Sequence, residues 1–261
     1  MAFLENPITL ALLGGIIPAF LWLYFWLRED IHPEPKRLIV RAFFAGILAI
    51  PFALLLEAMA YCGVAYLFLT SGEAPLCGSF SRTILTHNVA LFEMGIILAF
   101  AAAEEYVKYK CAQKFVLGGK DFDEPVDAMI YLITVALGFA AFENFFFLIS
   151  AFNQGVFQGL VIGNLRFLGA TLLHAISSGV VGYALALAFY KPERRRAYTI
   201  YGLLIATVLH AVFNVAVMNE SDAENGLGGA LLVLILTGII LILAFDRVKK
   251  IRSSYSATII D

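Results

Sequence analysis

Charge is what this sequence has least of. Only 15% of its 261 residues are Asp, Glu, Lys or Arg, against about a quarter in a soluble domain. Apolar residues make up 61%, and the mean hydropathy is +0.85. A soluble globule of this length needs far more polar surface, so the composition excludes one and points to a polytopic membrane protein. Cysteine is scarce too. Cys62, Cys77 and Cys111 are the only three, with no C-x-x-C and no Cys/His ligand spacing. That excludes a disulfide-rich scaffold and a thiolate metal site. Cys62 and Cys77 can pair if both lie outside the cytoplasm; three unpaired thiols are the alternative. The N-terminus, "MAFLENPITL", lacks a basic run, so its apolar segment reads as a retained span. Internal repeats and low-complexity stretches are missing as well. One domain over 1–261 is expected, with a short flexible tail from about 251.

Long apolar runs are what the chain has. A spanning helix needs about 20 apolar residues, and seven such runs are present. They cover about 8–27, 39–69, 83–116, 126–150, 165–190, 197–218 and 227–246. The second is expected to be interrupted at Pro51. A strand barrel would show alternating segments of about ten residues, and these runs are continuous. The expected fold is an all-α, polytopic transmembrane helix bundle of seven spans. An eighth, short re-entrant segment around 153–163 is compatible with the same sidedness.

Basic residues set that sidedness. Sixteen of the 18 Lys and Arg fall in four clusters, at 28–41, 108–120, 191–196 and 247–252. Arg82 and Arg166 fall in the alternate loops. The positive-inside rule then puts the N-terminus outside and the C-terminus in the cytoplasm.

Ionisable groups inside lipid are costly and normally face the bundle interior. Here they are Glu57, Glu93, Glu104, Glu105, Glu143, His174 and His210, with Asn144 and Asn214 beside them. Glu104 and Glu105 are consecutive, so they point about 100° apart on a helix. Lys108 is one turn on, within reach of either. His210 and Asn214, four residues apart, share one helix face. If the third to sixth spans surround one cavity, the carboxylates and imidazoles converge there. Such a set supplies a general base, a second acid and an oxyanion stabiliser, or else metal ligands.

"EEYVKY", "DEPVDAMIYLITVALGFAAFENFFFL", "HAISSGVVGYALA" and "HAVFN" resemble the PrsW family of intramembrane proteases. The proline-containing "REDIHPEPKRLIVRAFFAG" after the first span is similar to that family's acidic loop. The family is in turn related to the CAAX prenyl protease (CPBP) superfamily. The resemblance implies a membrane-embedded endopeptidase cleaving a single-pass membrane protein, such as a membrane-anchored anti-sigma factor cut at site 1 in a stress response. It carries the catalytic set onto Glu104, Glu105, Glu143, His174, His210 and Asn214, with Lys108 and Asn144 in support. In the prenyl-protease manner, Glu104 would take a proton from water, His174 would position that water, and His210 and Asn214 would donate to the oxyanion. The family often has a tyrosine where this chain has Phe147. No cofactor is assigned; if zinc is used, its ligands would be His174, His210 and Glu104. HExxH and GxGD are both missing, which argues against two other intramembrane protease classes. The expected partners are a membrane-anchored protein substrate and the lipid bilayer, with no nucleic acid, in the plasma or inner membrane. A non-catalytic scaffold or receptor, and an ion-coupled transporter, are the competing readings.

Overall fold

The computed structural model describes residues 6–68, 89–218 and 223–260. Among them there is no strand. The chain is an all-α, polytopic helix bundle. Helix α1 (Pro7–Leu27) opens on Asn6, whose Oδ1 accepts the Ile8 N–H at 2.9 Å. Pro7 is the first helical residue, where a missing N–H costs nothing. Helix α2 (Lys36–Phe68) runs through Pro51 without a break, against the expected interruption. Then come α3 (Val89–Phe115), α4 (Pro125–Gln154), α5 (Val156–Leu168) and α6 (Ala170–Leu187). A 3-10 turn at Pro192–Arg194 leads into α7 (Arg195–Met218), and α8 (Ala223–Ile260) ends the chain. Helix α8 runs through the segment from about 251 that the sequence reads as a tail.

Six stretches of the described residues are long and apolar enough to cross a membrane. Helix α3, the third of the seven expected spans, is not among the six. Its 27 residues are long enough, but Glu93, Glu104, Glu105 and Lys108 remove it from that set on charge. Helices α5 and α6 form one stretch, Val156–Leu187, broken at Gly169. The segment around 153–163 is therefore the end of α4 and the first part of a broken span. It adds no crossing of its own. Gly155 makes the turn into α5 at φ 144°, a conformation that glycine adopts without a steric cost. Cys62 is disulfide-bonded, and Cys111 is free and buried; Cys77 lies outside the described residues.

Helix α4 is the axis of the bundle. Every residue from Pro125 to Ala141 is buried, with α1, α2 and α6 packed around it. A helix apolar on all sides belongs in such an interior. Two glycines let α2 and α4 touch backbone to backbone. A Cβ on Gly138 would lie 1.9 Å from the Phe43 carbonyl oxygen, and one on Gly46 would lie 1.9 Å from that of Val135. Close approach of this kind is how helices associate where lipid removes the hydrophobic drive.

Apart from Lys108, the four basic clusters gather at one end of the bundle. Lys249 of α8 bonds Glu29 at 2.8 Å, and Arg37 reaches Asp121 at 3.2 Å. The Arg195 guanidinium lies 5.5 Å from the centre of the Phe122 ring.

Candidate active site

The polar groups of α3, α4, α6 and α7 meet inside the bundle. Glu104 and Glu105 lie about 22 Å along α3 from its start, at 1.5 Å per residue, and so near mid-span. Glu105 is fully engaged. Its carboxylate accepts from Lys108 Nζ at 2.6 Å, Ser177 Oγ at 2.8 Å and Ser178 Oγ at 3.0 Å, and lies 2.9 Å from His210 Nδ1. Lys108 does not snorkel to the membrane edge: its side chain is 0% exposed. Its Nζ is also 3.0 Å from His174 Nδ1 and 4.9 Å from the centre of the Phe139 ring.

Glu104 is the opposite case. Its Oε2 is buried and has no hydrogen-bond partner. It faces His174 Nδ1 at 3.8 Å, His210 Nε2 at 3.9 Å and Lys108 Nζ at 3.9 Å. The two rings stand edge to face, 5.1 Å apart. Each imidazole turns its other nitrogen to a carboxylate: His174 Nε2 to Glu143 at 3.0 Å, and His210 Nδ1 to Glu105 at 2.9 Å. A carboxylate can only accept, so those outer nitrogens carry the protons. When both rings are neutral, their lone pairs point inward.

Glu104, His174 and His210 thus offer one ligand atom each, all within 4.8 Å of one another. Three acceptors converge on one buried point, and one of them is orphaned. Two imidazoles and a carboxylate, with each imidazole backed by a second carboxylate, is the donor set and outer shell of a catalytic zinc site. The residues fit a metal. Lys108 shares the His174 Nδ1 lone pair, so it and a metal would compete for that nitrogen.

Beyond this core the expectations divide. Asn144 is buried and joins the network, donating to Thr171 Oγ1 at 2.9 Å and accepting from Arg166 Nε. Asn214 is half-buried, one turn beyond His210, and is not part of the network among the described residues. Glu93, an interior residue by the cost of charge in lipid, is exposed. Arg166, a loop residue by sequence, is a helical one in the structure. It lies in α5, bonds Glu143 Oε2 at 2.7 Å through Nη2, and stacks 4.0 Å from the centre of the Phe147 ring. The signal was present, since "VIGNLRFLGATLL" is an apolar run with one arginine. Starting the fifth span near 165 placed that arginine at its edge. Glu57 of α2 also looks toward the site, with Glu143, His210 and Lys108 as its electrostatic neighbours.

A profile described as PrsW family intramembrane metalloprotease matches residues 34–244, most of the chain. The chain belongs to the PrsW family. Its curated relatives include Protease PrsW of Geobacillus kaustophilus, 27% identical over 203 residues, covering 77% of this chain and 76% of that one. Protease PrsW of Oceanobacillus iheyensis is 24% identical over 248 residues, 95% and 97% of the two chains. Protease PrsW of Bacillus subtilis is 25% identical over 203 residues, 77% and 79%. No solved structure matches. Membership in PrsW makes the chain a multi-pass membrane protease, and the polar cluster lies within the matched region.

Proposed function

We propose that the chain is a metal-dependent intramembrane endopeptidase that hydrolyses a peptide bond in a single-pass membrane protein. One observation carries the reading. Glu104 Oε2 is buried without a partner and faces the inward lone pairs of His174 and His210. Those three residues would hold zinc, which when bound supplies Lewis acidity and acidifies water near neutral pH.

The chain's own groups do the rest. Glu143 and Glu105 hold protons on His174 Nε2 and His210 Nδ1 and so fix both tautomers. Arg166, itself held by Asn144, orients Glu143 in turn. Lys108 Nζ, 3.9 Å from Glu104, donates to negative charge developing on the scissile carbonyl oxygen. Asn214, on the His210 face of α7, is a second such donor once substrate is bound. The surrounding apolar helices exclude bulk water, which strengthens every one of these interactions.

A second reading has its own support, because Lys108 already occupies the His174 Nδ1 lone pair. In it Glu104 Oε2 takes the proton from water directly and no metal is needed. Elemental analysis of the purified protein, with cleavage of a single-pass substrate measured with and without a chelator, separates the two. About one zinc per chain and chelator-sensitive cleavage support the first. Metal-free, chelator-resistant cleavage supports the second. Normal cleavage by both Glu104→Ala and His174→Ala would exclude either.

The substrate class we favour is a membrane-anchored regulator such as an anti-sigma factor. The basic end of the bundle lies on the cytoplasmic side of the plasma or inner membrane by the positive-inside rule.

A further inference from the structure

A second cluster of ligand-type side chains lies at the basic end of the bundle, in two loops and the first turn of α4, and the proposed reaction does not use it. We propose that Glu34, Asp123 and Asp127 bind a hard divalent cation, calcium or magnesium. Glu34 comes from the loop between α1 and α2, Asp123 from the loop between α3 and α4, and Asp127 from the first turn of α4. One carboxylate oxygen of each lies within 4.8 Å of the other two. The set is oxygen only, which suits calcium or magnesium and not the softer metals that take nitrogen or sulfur.

Acidic clusters are common without an ion, and here a separate observation points to one. Asp127 is 0% exposed, and its Oδ1 has no hydrogen-bond partner. Its Oδ2 is engaged, accepting the N–H groups of Asp123 at 2.9 Å and Glu124 at 2.7 Å. One Asp127 carboxylate oxygen and one of Glu34 lie within 4.8 Å of each other. Two adjacent carboxylates, one of them fully buried, need a cation or a shared proton between them. The nearby bases are already committed: Arg37 pairs with Asp121 and His32 with Glu124, both at 3.2 Å. None of the three acids forms an ion pair among the described residues.

The site is also prearranged. The Tyr131 hydroxyl donates to Glu34 Oε2. Asp30 accepts the N–H groups of His32 at 3.0 Å and Glu34 at 3.1 Å, which folds the loop that presents Glu34. Asp123 is exposed, which gives an ion its way in from water. A bound cation would clamp the α1–α2 loop onto the start of α4, the axis of the bundle.

The test uses the full chain in detergent. Terbium is the probe, with Tyr131 as the sensitising ring, and calcium and magnesium are titrated as competitors. Melting temperature is read in parallel. We expect terbium emission that one or both ions displace, and a rise of a few degrees in melting temperature at saturating ion. The stronger competitor identifies the occupant. Both responses should be lost in Asp123→Asn, an exposed substitution that leaves packing intact, and retained in His174→Ala. Equal responses in Asp123→Asn, or their loss in His174→Ala, would place the ion elsewhere and overturn the proposal. A wild type that responds to neither ion, while Glu34→Gln is more stable, would mean that Glu34 and Asp127 share a proton instead.

Discussion

His174 and His210 stand edge to face, 5.1 Å apart between ring centres, and each is pinned from behind by a carboxylate on another helix. The pairing is crossed. Glu143 of α4 holds His174 of α6, and Glu105 of α3 holds His210 of α7. One hydrogen bond thereby ties α4 to α6 and the other α3 to α7, and the inward nitrogens are left facing Glu104.

Glu104 and Glu105 are adjacent in sequence and should respond in opposite ways. Glu104→Gln breaks no hydrogen bond at Oε2, so the melting temperature should change little while substrate cleavage is lost. Glu105→Ala strands Lys108 inside the bundle and should cost about 3–5 kcal/mol, the penalty for halving a buried ion pair. Thermal unfolding in detergent alongside a cleavage assay checks both. A stable Glu105→Ala protein, or an active Glu104→Gln one, would contradict this assignment.

Glu143 acts through His174. Glu143→Gln keeps the shape but removes the charge that orders the imidazole. Loss of such an outer-shell partner typically weakens metal affinity by about 10–100-fold. The measurement is zinc retained per chain across a chelator titration. Unchanged retention would mean that His174 is not a ligand.

Arg166 forks between Glu143 and Asn144 while lying over Phe147. Lysine is a point charge and cannot reproduce that fork or the stacking. Arg166→Lys should therefore lower cleavage at least about tenfold, close to the effect of Arg166→Ala. Phe147→Leu, which removes only the ring beneath the guanidinium, should have a smaller effect. Relative turnover of the three variants tests the ranking.

Gly138 has no room for a side chain, because a Cβ would sit 1.9 Å from the Phe43 carbonyl oxygen. Backbone cannot yield as a flexible side chain does. Gly138→Val should destabilise the protein by at least about 1–3 kcal/mol by prising α2 from α4. Gly228→Ala, where nothing lies within 4 Å, is the control. Equal melting temperatures for these two variants would exclude tight α2–α4 packing.

The sequence by itself determined the class of the protein and the inventory of its chemistry. Apolar runs of spanning length leave helices as the only way to satisfy backbone groups in lipid. The cost of charge in lipid singled out Glu104, Glu105, Glu143, His174 and His210 before any coordinates. Helical spacing alone showed that the two adjacent glutamates had to differ. It could not say which one was engaged, because that depends on Ser177, Ser178 and His210, which lie 72 to 105 residues away along the chain. Tertiary structure decided that Glu105 is bound and Glu104 left with an open oxygen. It also moved Arg166 from a loop into the site and left Asn214 outside the network. It assembled the Glu34, Asp123 and Asp127 cluster from two separate loops and the start of α4. Local spacing fixes which way a side chain points on its own helix. Only the packing of helices around α4 fixes what it meets there.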